Sequence, residues 1–518
     1  MIGMKNILLL IFIFILGGCI DNNGNYIYNP TRELDIKMDR NVTLTAGEVV
    51  TLNPKVFVKG DVDKNKIENA EYEWSLEHKI VSCEKTYTFE AKANGNYTGM
   101  LKVTDPLTET ISCFVFSITV RSKYETGFLV LADKDGKTEL SIIRAKEMYE
   151  PDTIIYDREW TNIYEIENNG QKLKGKPRSL TEHWVNYDYG EPPIGEITIL
   201  TDENDQVYVQ ELNGESMKRE TFIEQEFKDN KLPINFKPKK VIHTCFDSFI
   251  LDESGVIYMR RSESNMGFHT GYFSEKVKLW NGQKFTDLLF TQYHQINAVL
   301  AIEEDKQGNH NYVGIYSDEY WNGYNLRRLS IVGEYADDFL NVDGELLWSD
   351  WYRMYYGASA MSVVSKTTAG DYVLHYFALG EAGETSIEAF ESEKINLTQK
   401  YQIADLKGMC TNKKAQCTYL FDKNTIYAFN NVSGELSVVK KFQQEIVALA
   451  DNSNSADYTQ TPASLAVAFD DGKLEIWEFT RENPAVFKPQ SVYTSENNFG
   501  KIKSVIFKMG SSGSFFGR

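Results

Sequence analysis

After residue 31, apolar and polar residues alternate with period two over short runs, and turn residues break these runs roughly every ten positions. From 31 to 122 the runs include Val42-Thr43-Leu44-Thr45, Glu48-Val49-Val50-Thr51-Leu52 and Tyr72-Glu73-Trp74-Ser75-Leu76. Tyr87-Thr88-Phe89, Gly99-Met100-Leu101-Lys102-Val103-Thr104-Asp105 and Cys113-Phe114-Val115-Phe116-Ser117-Ile118-Thr119-Val120 follow. Alternation in β-branched and aromatic residues predicts strands that bury one face, with Trp74 on a core strand. A segment of this length with a buried Trp is Ig-like in size, so 31–122 is expected to be a β-sandwich.

The pattern changes at about 123. Apolar strands now come in pairs across Asp, Asn or Gly turns, as in Phe128-Leu129-Val130-Leu131, Asp135-Gly136, Leu140-Ser141-Ile142-Ile143. Ile197–Leu200 pairs with Val207–Val209, Ser248–Leu251 with Val256–Tyr258, and Thr418–Phe421 with Thr425–Phe429; Leu465–Phe469, Asp470-Asp471-Gly472 and Leu474–Trp477 close the series. Asp-Gly and Ser-Gly turns favour tight hairpins. Their recurrence at roughly 45–70 residues, with little helical periodicity, predicts propeller blades. Seven blades are favoured, six or eight are open, and two stacked sandwiches are the competing fold. Ile502–Phe507 is expected to complete the first blade and shut the ring. One helix-like stretch falls at Thr221–Phe227. The fold class is therefore all-β: an Ig-like sandwich over 31–122 and a β-propeller over 123–518.

The N-terminus carries a different signal. Lys5 precedes an unbroken apolar run from Ile7 to Leu16, and Gly17-Gly18-Cys19 follows. A transmembrane helix needs about twenty apolar residues, so this run is too short to stay as a span. It reads as a signal peptide over 1–18, with small residues at the cleavage point. Leu16-Gly17-Gly18-Cys19 resembles the bacterial lipobox, in which the Cys thiol is acylated and becomes the new N-terminus. Two or more acyl chains give a stable membrane anchor. Residues 19–30, polar and rich in Asn and Gly, then read as a flexible tether behind lipidated Cys19.

Composition adds exclusions. The 518 residues are 42% hydrophobic and 25% charged, ordinary for a globular chain, and the net charge is −19. So acidic a body argues against nucleic acid, whose phosphates need Lys and Arg, and against a polybasic grip on lipids. Of the remaining cysteines, Cys83, Cys113, Cys245, Cys410 and Cys417, the last two flank a polar turn between strand-like segments and are the candidate disulfide pair. None has the Cys-x-x-Cys spacing of a zinc or redox site.

Tyr72-Glu73-Trp74 and Leu101-x-Val103-x-Asp105 resemble the PKD family of Ig-like domains. With the lipobox and Tyr124-Glu125-Thr126-Gly127-Phe128-Leu129-Val130-Leu131, continuing into Asp133-Lys134-Asp135-Gly136, the first 145 residues resemble PKD-like family lipoproteins of Bacteroidota. The resemblance implies an accessory lipoprotein of a nutrient-uptake locus, partnered by a SusC-like TonB-dependent barrel and a SusD-like lipoprotein. It implies outer-membrane attachment by lipid on the extracellular face, with a periplasmic face left open.

Catalytic and metal motifs are missing. The seven histidines show no metal-ligand spacing, and no Gly-x-Ser-x-Gly elbow, Walker loop, His-Glu-x-x-His or sialidase Asp-box occurs. No catalytic residue, metal ligand or cofactor is assigned. The candidate ligand-binding residues are aromatic: Trp321 and Tyr324 in one polar segment, and Trp348, Trp351, Tyr352 and Tyr355 in another. Flat rings with a polar edge bury area at low entropic cost, which suits sugars and peptides, whereas core packing between blades is their structural alternative. The leading expectation is a non-catalytic accessory lipoprotein that binds an oligosaccharide or oligopeptide or docks on the importer. A propeller-based glycan hydrolase or lyase, and a purely structural or adhesive protein, are the alternatives. Fold alone does not choose among them.

Overall fold

The computed structural model describes residues 33–59, 67, 69–149, 152–185, 194–243, 247–261, 272–273, 284–289, 298–317, 326–353, 359–383, 385–412, 415–453, 463–480 and 483–508. The chain forms two compact units, 1–121 and 122–518.

In the first unit, five strands make one sheet in the order Asn41–Thr45, Ile111–Arg121, Gly95–Thr104, Glu71–Leu76, Lys79–Ser82. The first of these runs parallel to its neighbour and the others are antiparallel. Two further antiparallel pairs, Leu34–Lys37 with Lys55–Val58 and Val49–Leu52 with Tyr87–Glu90, contribute to the same core. Alternation is clean on Ile111–Arg121: Phe114, Phe116, Ile118 and Val120 are buried while Cys113 and Val115 face out. Trp74 is fully buried, donates from Nε1 to the Glu84 carbonyl at 2.8 Å, and meets the Tyr87 and Phe116 rings at 5.7 and 5.8 Å. A buried indole with its N–H satisfied incurs no desolvation penalty for that group. This is the Ig-like sandwich.

The second unit is a β-propeller. Among the described residues its strands form seven blades, six of them with four or more strands and the third with three. Blade 2 shows the plan: Lys176–Val185, Ile194–Glu203, Gln206–Asn213 and Arg219–Phe222 follow one another outward in antiparallel order. The inner strands of blades 3 to 7 are Pro238–His243, Lys284–Leu289, Glu345–Arg353, Gly408–Asn412 and Ile446–Asp451. Each touches the next inner strand round the ring. The ring closes through the last described strand, Lys501–Lys508, which is the inner strand of blade 1 and pairs antiparallel with Gly127–Lys134. It also touches the inner strands of blades 2 and 7. Blade 1 is thus built from both ends of the unit, and closure removes the exposed edges of an open sheet.

The local chemistry of the chain explains this closure. Gly127 has φ +154°, and a Cβ there would sit 2.1 Å from the Ile143 carbonyl oxygen, so the entry to blade 1 requires glycine. Glu159, in the outer strand of blade 1, accepts from Tyr493 Oη at 2.8 Å, from the Glu496 and Asn497 backbone N–H at 2.7 and 2.9 Å, and from Asn497 Nδ2 at 2.7 Å. One carboxylate thereby ties the last blade to the first. Elsewhere, the Asp350 carboxylate accepts from Thr411 N at 2.8 Å, joining the inner strands of blades 5 and 6. The outer strands of blades 4 and 5 pair in parallel at Ser330↔Ser386 through Val332↔Glu388.

The helix-like stretch 221–227 is realised as one short 3₁₀ helix rather than an α-helix. Strand Arg219–Phe222 runs into a single 3₁₀ turn, Ile223–Glu226, because Gln225 Oε1 accepts from the Phe222 N–H at 2.9 Å and ends the strand.

Cys410 and Cys417 do not form a disulfide; both are thiols. They lie on adjacent strands, but Cys410 faces Tyr419 and Cys417 faces Asn412. That diagonal relation puts Cα atoms about 7–8 Å apart, beyond the reach of a disulfide. Burial pushes the Cys417 thiol up to about 12, so it has little thiolate for exchange.

His375 gives the propeller a pH dependence. Its ring sits among Phe339, Phe377 and Tyr312, and Nε2 lies 2.9 Å from Ser392 Oγ. Burial, with a smaller push from Lys394, pulls its pKa from the usual 6.5 to about 3. The unfolded chain binds this proton first, so the contribution of a neutral His375 is complete above pH 6.5 and is lost as pH falls toward 3. Melting midpoints of the parent are expected to fall between pH 6.5 and 4.5 more steeply than those of His375→Gln. Parallel curves would show that His375 does not titrate as the geometry requires.

Candidate functional site

The aromatic residues singled out in the sequence fall into two groups. Trp321, Tyr324 and Tyr355 lie outside the described residues, as does Cys19. Trp348, Trp351 and Tyr352 lie on the inner strand of blade 5. Trp348 packs against the cluster of Val364, Leu374, Leu420 and Phe429, and Trp351 against that of Leu289, Met361 and Phe377. Tyr352 is buried against Ala360 and Ala378. A propeller strand has a neighbouring blade on each side, so both faces take large rings. These three fill the seams between blades.

A Ser–His contact exists at the seam of blades 2 and 3. Ser248 Oγ lies 2.8 Å from His243 Nδ1, and His243 Nε2 lies 3.0 Å from Thr198 Oγ1. Ser248 is fully buried and its hydroxyl also lies 3.4 Å from Arg260 Nη2. A nucleophile must be reachable by its substrate, and this hydroxyl is enclosed. Arg260 itself is fully buried between Glu211, at 2.9 and 3.1 Å, and Glu226, at 2.6 Å. Burial opposes its charge, but the two carboxylates outweigh burial and hold the guanidinium above its ordinary value. The network joins strands and has no opening to solvent at its centre.

Among the described residues, two cavities of ligand size open on the propeller. One, of about 540 Å³, lies at the turns of blades 4 and 5 and is lined by Asn309, His310, Asp343, Glu345 and Thr368 among others. Among the described residues no group of three His, Cys, Asp or Glu is placed to hold a metal ion.

The other cavity, of about 610 Å³, lies on the outer part of blade 2. The helix Ile163–Glu167 and the turn after it supply Tyr164, Gln171, Lys172 and Lys174. Strands Gln206–Asn213 and Arg219–Phe222 supply Tyr208, Gln210, Arg219 and Phe222, and the 3₁₀ turn adds Glu224 and Gln225. Arg219 is the centre of this site. Its guanidinium carbon stands 3.8 Å from the Phe222 ring centroid, a cation–π stack. Its Nη1 donates to Tyr164 Oη at 3.2 Å and to Gln171 Oε1 at 2.9 Å. Tyr164 in turn donates to Gln210 Oε1 at 2.8 Å, and Asn168 Oδ1 accepts from the Arg219 backbone N–H. The long side chain is therefore held before any ligand arrives, which lowers the entropic cost of binding. Lys174 stands 5.5 Å from the Tyr208 ring.

The sequence reading missed this cavity because its residues come from four separate elements with no common period. The one usable signal was the stretch 221–227, whose odd pattern marks the turn that walls it.

The profile described as the PKD-like family matches residues 19–177. No curated protein matches the chain. Among solved structures, a quinonprotein alcohol dehydrogenase-like protein from Bacteroides thetaiotaomicron is 13% identical, with 90% of this chain and 96% of that one covered and a TM-score of 0.37. The Dos1 propeller is 8% identical, with coverages of 74% and 88% and a TM-score of 0.39. The PKD domain of human KIAA0319 is 18% identical, covers 19% of this chain and 88% of its own, and has a TM-score of 0.14.

Proposed function

We propose that the chain is a lipid-anchored, non-catalytic binding protein of the outer membrane, an accessory to a nutrient importer built from a TonB-dependent barrel and a lidding lipoprotein. The observation that carries this reading is the cavity on blade 2, where a pre-held arginine, two lysines and two exposed or half-buried rings surround a ligand-sized space. The Leu16-Gly17-Gly18-Cys19 tetrad and the PKD-like segment behind it supply the anchor and the spacer in this reading.

The test is recovery of the native lipoprotein, tagged at its C-terminus, from gently solubilised outer membranes. Stoichiometric co-recovery of a TonB-dependent barrel and its lid lipoprotein is expected. Recovery of the chain alone, from extracts in which such barrels stay paired with their own lids, would remove the importer from the account.

A further inference from the structure

We propose that the cavity on blade 2 binds an acidic oligosaccharide, with Arg219 receiving a sugar carboxylate; this rests on the reading of the propeller as a ligand-binding body. The free edge of Arg219 is the first argument. With Nη1 engaged by Tyr164 and Gln171, the Nε and Nη2 donors have no partner among the described residues. That edge is the fork that fits a carboxylate. The same fork is used elsewhere among the described residues: Arg144 holds Asp157 through Nε and Nη2, and Arg328 holds Glu303 in the same way. At Arg219 the fork is built and held, and no carboxylate of the described residues fills it.

Charge is the second. Lys172, Lys174 and Arg219 line one cavity, none in an ion pair, while Glu224 is the one carboxylate in its lining and Glu203 reaches only its rim, at the Tyr208 hydroxyl. On a chain of net charge −19, a cavity with this positive excess selects anions.

The polar lining decides between classes of anion. Gln171, Gln210 and Gln225 each use the side-chain oxygen within the protein, to Arg219, Tyr164 and the Phe222 N–H. Their amide nitrogens remain as donors, and Glu224 remains as an acceptor, a set that suits hydroxyls. The Phe222 ring, 37% exposed, offers an apolar edge to a sugar face. An acidic peptide presents carboxylates too, but it has no array of hydroxyls for these groups.

Isothermal titration at low salt of the full mature chain in detergent, with trigalacturonate as probe, tests this. Binding is expected, with at least a tenfold loss for the methyl ester of the same sugar. Arg219→Lys keeps the charge but removes the fork, and it is expected to weaken trigalacturonate about tenfold while melting with the parent. Lys174→Gln is expected to cost about threefold, and the losses shrink as salt rises. Equal binding of acid and ester, an unaffected Arg219→Lys, no binding of trigalacturonate, or preference for an Asp/Glu hexapeptide would each overturn the proposal. Failure of this titration leaves co-recovery with an importer standing, and failure of co-recovery leaves the titration standing.

Discussion

Replacing Arg260 with methionine is expected to destabilise the propeller by about 3–5 kcal/mol, the usual cost of breaking a buried ion pair by removing one partner. The guanidinium is fully buried and bridges Glu211 and Glu226, whose own carboxylates are nearly as buried. Methionine approximates its length but leaves both carboxylates without the cation they share. The two carboxylates come from different elements, the third strand of blade 2 and the 3₁₀ turn behind it, and Arg260 belongs to blade 3. The loss therefore loosens a seam as well as a site. Making all three neutral, as Arg260→Met with Glu211→Gln and Glu226→Gln, is expected to restore much of the loss, because the charges that must be desolvated are gone. Denaturant melts of the parent, the single and the triple variant check both steps. A single variant within 1 kcal/mol of the parent would show that the triad does not carry the seam.

The second large effect concerns closure. A chain ending at Gly500 is expected to lose the cooperative melting of the propeller, while a chain ending at Lys508 keeps it. The strand 501–508 buries Ile502 and Val505, each side chain contributing about 1.5–3 kcal/mol. It also satisfies the backbone of Gly127–Lys134 along its length. Removing it leaves that strand as an open edge and breaks the contacts to the inner strands of blades 2 and 7. A domain is stable by about 5–15 kcal/mol in total, so the loss approaches the whole. Calorimetry of the two chains decides the matter: a shared high-temperature transition would mean that the ring does not depend on its last strand.

Much of the fold was legible because hairpins write themselves locally. Phe128–Leu131 and Leu140–Ile143 are apolar on both faces, with Asp135-Gly136 between them, and the structure pairs them across that turn. Ile502–Phe507 is apolar at four of its six positions and lacks a hairpin partner nearby in sequence, which points it to a distant edge; it pairs with Gly127–Lys134. Trp74 was legible as core for the same reason. The cysteine pair was not, because register depends on the turn. Residues 413–416 join the strands, and the pairing Asn412↔Cys417 shifts Cys410 two places from the position a bridge needs. Aromatic density misled in a different way. Trp348 and Trp351 sit on opposite faces of one inner strand, and each face meets a blade, so large rings there report packing. The cavity on blade 2 had no sequence signature. Arg219 looks like any surface arginine until folding sets Phe222 beneath it and Tyr164 and Gln171 against one edge.

Whether this propeller holds a ligand at blade 2 is decided by a crystal structure of the mature chain grown with trigalacturonate. A sugar carboxylate is expected on Nε and Nη2 of Arg219, with hydroxyls on Gln171, Gln225 and Glu224. Sugar density elsewhere on the ring, with the blade 2 cavity filled by water alone, would contradict it.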